Sequence, residues 1–183
     1  MSKKNILVLL GVVTLLAIAT GVTYFIHTKS VERVQNEALK TLFSADKNAE
    51  FIDSNSNPVD LSQYKDAILV VNVWASWSPY TAVEFPILNE LADNFKEKGV
   101  KFLVMNRKET KAQIDRYLAT IPTYPNLEQI VDVNDFFYAG AGGYAMPETV
   151  IYDTKGKIIQ HIRGVVVKEE LEAILNTALE AEK

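Results

Sequence analysis

The stretch VVNVWASWSPYT, residues 70–81, contains the strongest information about the fold. Its first half continues an apolar, β-branched run that begins at Ala67, and such a run is typical of a strand buried on both faces of a sheet. Ser78 and Pro79 then favour a helix start, because serine caps helix N-termini and proline suits the first helical position. We therefore predict a strand–loop–helix unit whose helix runs from Pro79 to about Lys98.

The sequence on the C-terminal side of this unit alternates further strands and helices. Asp153 and Gly156 belong to a tight hairpin turn between the last two predicted strands. The order of elements predicts an α/β fold in which strands pair first in parallel and then as an antiparallel hairpin at the sheet edge. The predicted strands lie at residues 67–73, 100–106, 148–152 and 157–163. The predicted helices lie at 79–98, at 110–119 with Thr110 as the cap, and from 168 to the C-terminus, and residues 121–144 are predicted to be mixed loop and short helix.

The composition excludes several kinds of site. The chain of 183 residues contains no cysteine, two histidines and a formal net charge of −4. Without cysteine it has no disulfide, thiolate metal site or iron–sulfur cluster, and two histidines supply few metal ligands. The acidic balance gives no electrostatic basis for binding nucleic acid. We therefore expect no metal site, no cofactor and no nucleic-acid partner.

The N-terminus carries an apolar segment that is long enough to cross a membrane. Lys3 and Lys4 precede residues 6–26, which contain no charged residue and would form a helix of roughly 31 Å. A cleaved signal peptide is the alternative, since residues 17–19 resemble a cleavage site, but apolar residues continue past them. The two lysines favour a cytoplasmic N-terminus. We predict a single-pass anchor in the cytoplasmic membrane. Lys29 and Arg33 closely follow the segment, but the short tail before it and the family resemblance given below favour a globular domain on the extracytoplasmic side.

A second helical pattern separates this segment from the domain. Residues 30–45 place apolar side chains at three- and four-residue steps, which indicates an amphipathic helix. It would be a stalk that packs on the domain or, alternatively, a self-association helix. The predicted organisation is a membrane anchor at residues 1–29, a juxtamembrane helix or linker at 30–49 and one compact domain at 50–183.

Several local motifs, in this order and spacing, resemble those of the membrane-anchored TlpA/ResA type of thioredoxin-like thiol–disulfide oxidoreductase. They are VVNVWASW at residues 70–77, EFP at 84–86, MPET at 146–149 and DTKGK at 153–157. Asn72 stands where classical thioredoxins have a buried aspartate. The resemblance covers residues 50 to about 179 and implies a thioredoxin-like fold with a central mixed sheet flanked by helices.

The resemblance ends at the chemistry of the family. Ser78 and Thr81 occupy the positions of the two motif cysteines, and Glu84 matches the family's proton-transfer carboxylate. Disulfide exchange needs a thiolate, which neither hydroxyl can replace. We therefore expect no catalytic residue. Ser78 as the nucleophile of a hydrolase would need an adjacent base, and neither His27 nor His161 is expected near it.

The resemblance also implies a peptide-binding groove. Pro147 matches the fold's cis-proline, and the backbone of Met146 would pair with an extended peptide. The groove is predicted to be formed by Trp77, Ser78, Pro79, Tyr80, Met146 and Pro147. Trp74 is expected to be partly buried and Trp77 to lie nearer the surface. Residues 139–143, AGAGG, could be mistaken for a phosphate-binding loop but lack its spacing and context.

Three functions follow as hypotheses. The first is a redox-inactive, membrane-anchored domain that binds a partner polypeptide or acts as a scaffold. The second is a thiol–disulfide oxidoreductase, which requires that the cysteines were replaced artificially. The third is an accessory protein in haem or copper handling.

Overall fold

A mixed six-stranded sheet lies at the centre of the domain. The computed structural model describes residues 5, 18, 20–25, 29 and 50–182. The strands are β1 Phe51–Asp53, β2 Ile68–Trp74, β3 Val100–Arg107, β4 Glu128–Asp132, β5 Glu148–Tyr152 and β6 Ile158–Arg163. The helices of the domain are α1 Thr81–Phe95, α2 Lys111–Leu118, α3 Phe136–Gly140 and α4 Lys168–Ala181, with short 3-10 helices at Leu61–Tyr64 and Lys96–Lys98.

The strand order in the sheet is β1-β4-β3-β2-β5-β6. Strands β2, β3 and β4 are parallel, whereas β1, β5 and β6 pair antiparallel to their neighbours. Helices α1 and α2 connect the three parallel strands, because a parallel pair needs a crossover. The predicted α/β class, the parallel pairing and the antiparallel hairpin at the edge are confirmed.

Two hydrophobic cores cover the two faces of the sheet. Side chains of β2 alternate between them, since successive residues of a strand point to opposite faces. Val70 and Trp74 belong to the core under α1, α2 and α4, whereas Val71 and Val73 face the 3-10 helix Leu61–Tyr64 and α3. All seven residues of β2 are buried, as expected for a central strand.

The helix ends are defined by particular side chains and turns. Thr110 forms a capping box with Gln113 at the start of α2, as the predicted cap position requires. Gly99, with φ of 82°, follows α1 and its 3-10 extension. Gly156 has φ of 78° and donates its N–H to the Asp153 carbonyl at 2.9 Å, which confirms the predicted hairpin turn.

Strand β4 is missing from the sequence-based assignment, which treated this region as mixed loop and short helix. It is short and is held by neighbours on both sides, with Ile130 paired to Met105 of β3 and to Asp53 of β1. Its pairing is therefore determined by partners distant in sequence.

The N-terminal predictions remain predictions. Residues 30–49 and most of the apolar segment 6–26 lie outside the described residues. The proposed boundary between a membrane anchor at 1–29 and a linker at 30–49 therefore stays a prediction. In the part of the chain that the structure describes, no helix is long and apolar enough to cross a membrane.

Candidate functional site

The motif loop leaves the sheet at the end of β2 and makes two turns before α1. The N–H of Ser78 donates to the Ala75 carbonyl at 3.0 Å, and the N–H of Thr81 donates to the Ser78 carbonyl at 3.4 Å. Helix α1 therefore begins at Thr81, two residues later than predicted, with Tyr80 in the cap position. The prediction that Ser78 caps this helix and Pro79 is its first residue is wrong, because these residues form the preceding turns.

The two hydroxyl groups that replace the family's thiols are both buried. Ser78 is 3% exposed, and within residues 50–182 its Oγ has no hydrogen-bond partner. Thr81 Oγ1 donates to the Ala75 carbonyl at 3.1 Å. His161 lies instead against Glu148, with 2.7 Å between Nε2 and Oε2. Within residues 50–182 no base lies beside Ser78, so a serine nucleophile has no geometric support there; His27, the other candidate base, lies outside the described residues.

A carboxylate that the sequence analysis did not identify fixes the first half of the loop. Glu109, just beyond β3, accepts hydrogen bonds from the backbone N–H of Ser76 and from Asn106 Nδ2, both at 2.7 Å, and also from the Ser76 hydroxyl. The motif loop is therefore anchored to the end of β3. Nothing local to residues 70–81 indicates this contact, because the partners are 33 residues apart in the chain.

Glu84 is a buried carboxyl group beneath the motif loop. Its Oε1 accepts the backbone N–H of Val166 at 2.8 Å, and its Oε2 lies 3.2 Å from Asn72 Nδ2. Asn72 Nδ2 also contacts Thr149 Oγ1 at 2.9 Å. Burial raises the pKa of Glu84 to about 7, and the hydrogen bonds from Val166 and Asn72 oppose that rise. Glu84 thus lies in the first turn of α1, where the helix dipole favours an acidic residue, but it is fully buried.

The Met146-Pro147 peptide bond is cis. Glu148 Oε1 accepts the backbone N–H groups of Tyr144 and Ala145 at 2.8 and 2.6 Å, which holds the approach to this bond. Because Val73 of β2 pairs with Glu148 of β5, the motif loop and the proline loop emerge from adjacent strands at the same end of the sheet.

Exposed aromatic side chains surround this end of the sheet. Trp77 is 63% exposed, Tyr80 48% and Tyr144 76%. Trp74, in contrast, is fully buried and not partly buried as expected, with Phe85 in edge contact at 5.3 Å between ring centroids. The six predicted groove residues are called the motif surface below; Trp77, Pro79 and Tyr80 are exposed and Met146 is half-buried, whereas Ser78 and Pro147 are buried.

The glycine-rich residues 139–143 pack against an aromatic ring and do not form a phosphate loop. A Cβ at Gly143 would lie 2.5 Å from the Tyr138 ring, so only glycine allows this approach. The amide groups at the start of α3 are already occupied, since the Asp132 carboxylate accepts the N–H groups of Phe136 and Phe137 at 2.9 and 2.8 Å.

Charged side chains near this helix are paired. Arg107 binds Asp135 through two hydrogen bonds of 2.7 and 2.9 Å and stacks 3.7 Å from the centroid of the Tyr138 ring. Its guanidinium group is therefore held by both a carboxylate and an aromatic ring. Among the described residues, no group of three or more His, Asp or Glu side chains is arranged to hold a metal ion.

Comparison with known proteins places this geometry in context. The model of the Redoxin family matches residues 41–179. The chain is similar to a thiol-disulfide oxidoreductase ResA of Bacillus thuringiensis, at 26% identity over 96% of this chain and 97% of the relative. It is also similar to a thiol:disulfide interchange protein DsbE of Vibrio cholerae, at 34% identity over 58% and 55% of the two chains. The exposed lipoprotein thioredoxin Etrx1 of Streptococcus pneumoniae has a similar fold, with a TM-score of 0.61 and 24% identity over 72% of this chain and 97% of that one.

Proposed function

This chain belongs to the Redoxin family and resembles its TlpA/ResA type, and we propose that it is a redox-inactive, membrane-anchored member that binds a partner polypeptide through its motif surface. The observation that carries the proposal is a thioredoxin-like frame, complete around its cis-proline, in a chain without cysteine. The chain keeps the fold and the cis-proline of the family but lacks the thiols that disulfide exchange requires.

The loss of redox activity follows from the chemistry of the motif. Disulfide exchange proceeds by attack of a thiolate on sulfur and through a mixed disulfide. Ser78 and Thr81 offer only hydroxyl groups, and the first of these has no base beside it within residues 50–182. The names of the ResA and DsbE relatives favour an oxidoreductase, but this sequence supplies neither the nucleophile nor the resolving group.

The binding role is supported by the composition and geometry of the motif surface. Exposed aromatic residues are common anchors of protein interfaces, and Trp77 and Tyr80 lie in a loop at the same end of the sheet as the cis-proline loop. The backbone N–H and carbonyl of Met146 form none of the hydrogen bonds found among residues 50–182. They are therefore free to pair with an extended peptide, whose side chains would contact the aromatic rings.

The proposed membrane anchor is supported by the sequence. Residues 6–26 have the length and the uncharged composition of a spanning helix. The alignment with the ResA relative extends over 96% of this chain and thus beyond the domain into the N-terminal segment. In this arrangement the motif surface would be presented to extracytoplasmic polypeptides.

A site-specific crosslinking experiment tests the binding role. A photoreactive residue at Tyr80 should capture a defined protein in membranes of cells that express the full chain. The matched control is Lys101, which is exposed and lies at the start of β3, the end of the sheet away from the motif loop. The proposal predicts a product from Tyr80 that Trp77→Ala abolishes, and no such product from Lys101.

Two results would contradict the proposal. One is the same set of products from both positions, which would indicate non-specific contact. The other is a Tyr80 product that persists undiminished in the Trp77→Ala variant, because the ring would then contribute nothing to partner binding.

The absence of cysteine allows a separate test of topology. Ser2→Cys and Lys183→Cys each introduce a single thiol at one end of the chain. A maleimide that does not cross membranes should label intact cells through Lys183→Cys and not through Ser2→Cys. Labelling of Ser2→Cys alone would contradict the predicted orientation.

A further inference from the structure

An apolar cleft lies between α2 and the outer strands β4 and β1, and it is called the α2 cleft below. It encloses about 300 Å³, and none of the six residues of the motif surface lines it. Its apolar walls are formed by Ile52, Ile114, Leu118, Val131 and Val133. All of these except Ile114 are only half-buried, so apolar surface remains open here.

The size of the α2 cleft indicates that it receives an apolar partner. Protein interiors are close-packed and contain few voids larger than a water molecule. The cleft has the volume of roughly ten water molecules and is left open by the described residues. Apolar side chains that entered it would remove its walls from water, which is favourable.

The polar groups around the α2 cleft are largely engaged with one another. Asn106 Nδ2 donates to Glu109 Oε2 at 2.7 Å, and Lys111 is paired with Asp115 at 2.6 Å. Asp53 accepts two backbone N–H groups of its own turn, both at 2.8 Å. An occupant would therefore be held by apolar contact and not by these groups.

The chain enters the described domain at the edge of the α2 cleft. Residues 30–49 lie outside the described residues, and Glu50 follows them directly. The Glu50 carbonyl accepts the N–H of Val133 at 3.0 Å, and Val133 is one of the cleft walls. Ile52, two residues further along the chain, is another. The segment that precedes Glu50 is therefore attached next to the cleft.

The sequence of this segment supplies a matching apolar surface. Leu39, Leu42 and Phe43 are three and four residues apart, so they share one face of the predicted helix near its end. Residues 44–49, SADKNA, are polar or small and can span up to roughly 20 Å, which allows the chain to turn back onto the domain. The Redoxin family model begins at residue 41 and so includes Leu42 and Phe43 with the domain.

The charges of the two surfaces do not oppose this contact. Residues 30–45 carry two acidic and two basic side chains, Glu32, Glu37, Arg33 and Lys40. Both signs of charge also line the α2 cleft. The contact is therefore governed by its apolar part.

We propose that residues 39–43 of the same chain pack their apolar side chains into the α2 cleft. Leu39, Leu42 and Phe43 would contact Leu118 and Val131, and the juxtamembrane segment would cover the open side of α2. This contact would fix the orientation of the domain on its predicted anchor and leave the motif surface accessible. It is independent of the proposed function, because it involves no residue of that surface.

The absence of cysteine allows the contact to be measured with a single thiol. Leu118→Cys places it on the cleft wall of the full chain in detergent micelles, where its rate of reaction with a water-soluble maleimide is measured. The same variant carrying Leu39→Lys, Leu42→Lys and Phe43→Lys is compared, because buried ammonium groups without partners are costly. We expect the three lysines to speed labelling by about tenfold or more, since the thiol then needs no opening of the contact.

Val83→Cys, at an exposed valine of α1, is the matched control and should react at the same rate with and without the three lysines. If Leu118→Cys does not fold, Val133→Cys places the thiol on the wall next to Glu50. The proposal is overturned if the three lysines leave labelling in the cleft unchanged, as a small apolar molecule in the cleft would cause, or if they change it equally at Val83→Cys. It is also overturned if slow labelling becomes fast on dilution, because a second copy of the chain would then be the occupant.

Discussion

At the scale of single residues, Glu84 makes the stability of the domain depend on pH. Its pKa is raised from 4.5 to about 7 by burial. The folded state therefore keeps this proton at pH values where the unfolded chain has lost it, and the free energy of unfolding should fall as the pH rises from 4.5 to 7. The full effect is about 3 kcal/mol.

The variant Glu84→Gln should remove this dependence and be the more stable form at pH 8. A rotated Asn72 amide would present its oxygen to the new Gln amide group, and in the parent this Oδ1 has no hydrogen-bond partner among the described residues. Urea unfolding at several pH values measures the effect. Asp132→Asn is the control, because the pKa of Asp132 is raised from 3.8 to about 6 and its contribution falls in a lower pH range. A Glu84→Gln curve parallel to that of the parent between pH 5 and 7 would contradict the assignment.

The burial of Glu84 could have been predicted in part. Residues 81, 84, 85, 88, 91, 92 and 95 of α1 are buried and follow helical spacing, so position 84 falls on the apolar face. The partner Val166 could not have been predicted from the local sequence, because it is 82 residues away. Glu109 was missed for the same reason: its contact with Ser76 depends on the register between β2 and β3.

At the scale of elements, the start of α1 determines whether the site could be reactivated. The double variant Ser78→Cys, Thr81→Cys places one thiol just before α1 and one at its first residue, and a helix N-terminus stabilises a thiolate. We expect it to catalyse insulin reduction by dithiothreitol measurably above background. Ser78→Ala, Thr81→Ala is the matched variant and should give the background rate. No gain in the cysteine variant, despite native circular dichroism, would show that the surroundings no longer support exchange.

Elements with strong local signals were predicted well. Strand β5 matches its predicted limits, α2 begins at Lys111 directly after the cap Thr110, and α4 begins at Lys168. The start of α1 was placed too early because Ser78 and Pro79 also suit turns, and the hydrogen bonds of those turns involve Ala75 and Thr81. Strand β4 has few β-branched residues, so its pairing partners and not its composition define it.

At the scale of the whole molecule, one tryptophan belongs to the buried core and the other to the motif surface. Trp74 is fully buried, and its replacement by alanine should cost about 3–5 kcal/mol of unfolding free energy. Trp77 is 63% exposed, and Trp77→Ala should change that free energy by less than about 0.5 kcal/mol. Denaturant unfolding of both variants checks this. A loss of several kcal/mol in Trp77→Ala would mean that the ring supports the fold and is not kept free for a partner.

The proposed redox inactivity depends on the absence of cysteine from the whole chain. The most direct measurement is the rate of insulin disulfide reduction by dithiothreitol with and without the purified full-length protein. We predict identical rates at every protein concentration, because no thiolate is present to form a mixed disulfide. A rate that rises in proportion to the protein, and that remains with it through further chromatography, would contradict the proposed loss of redox activity.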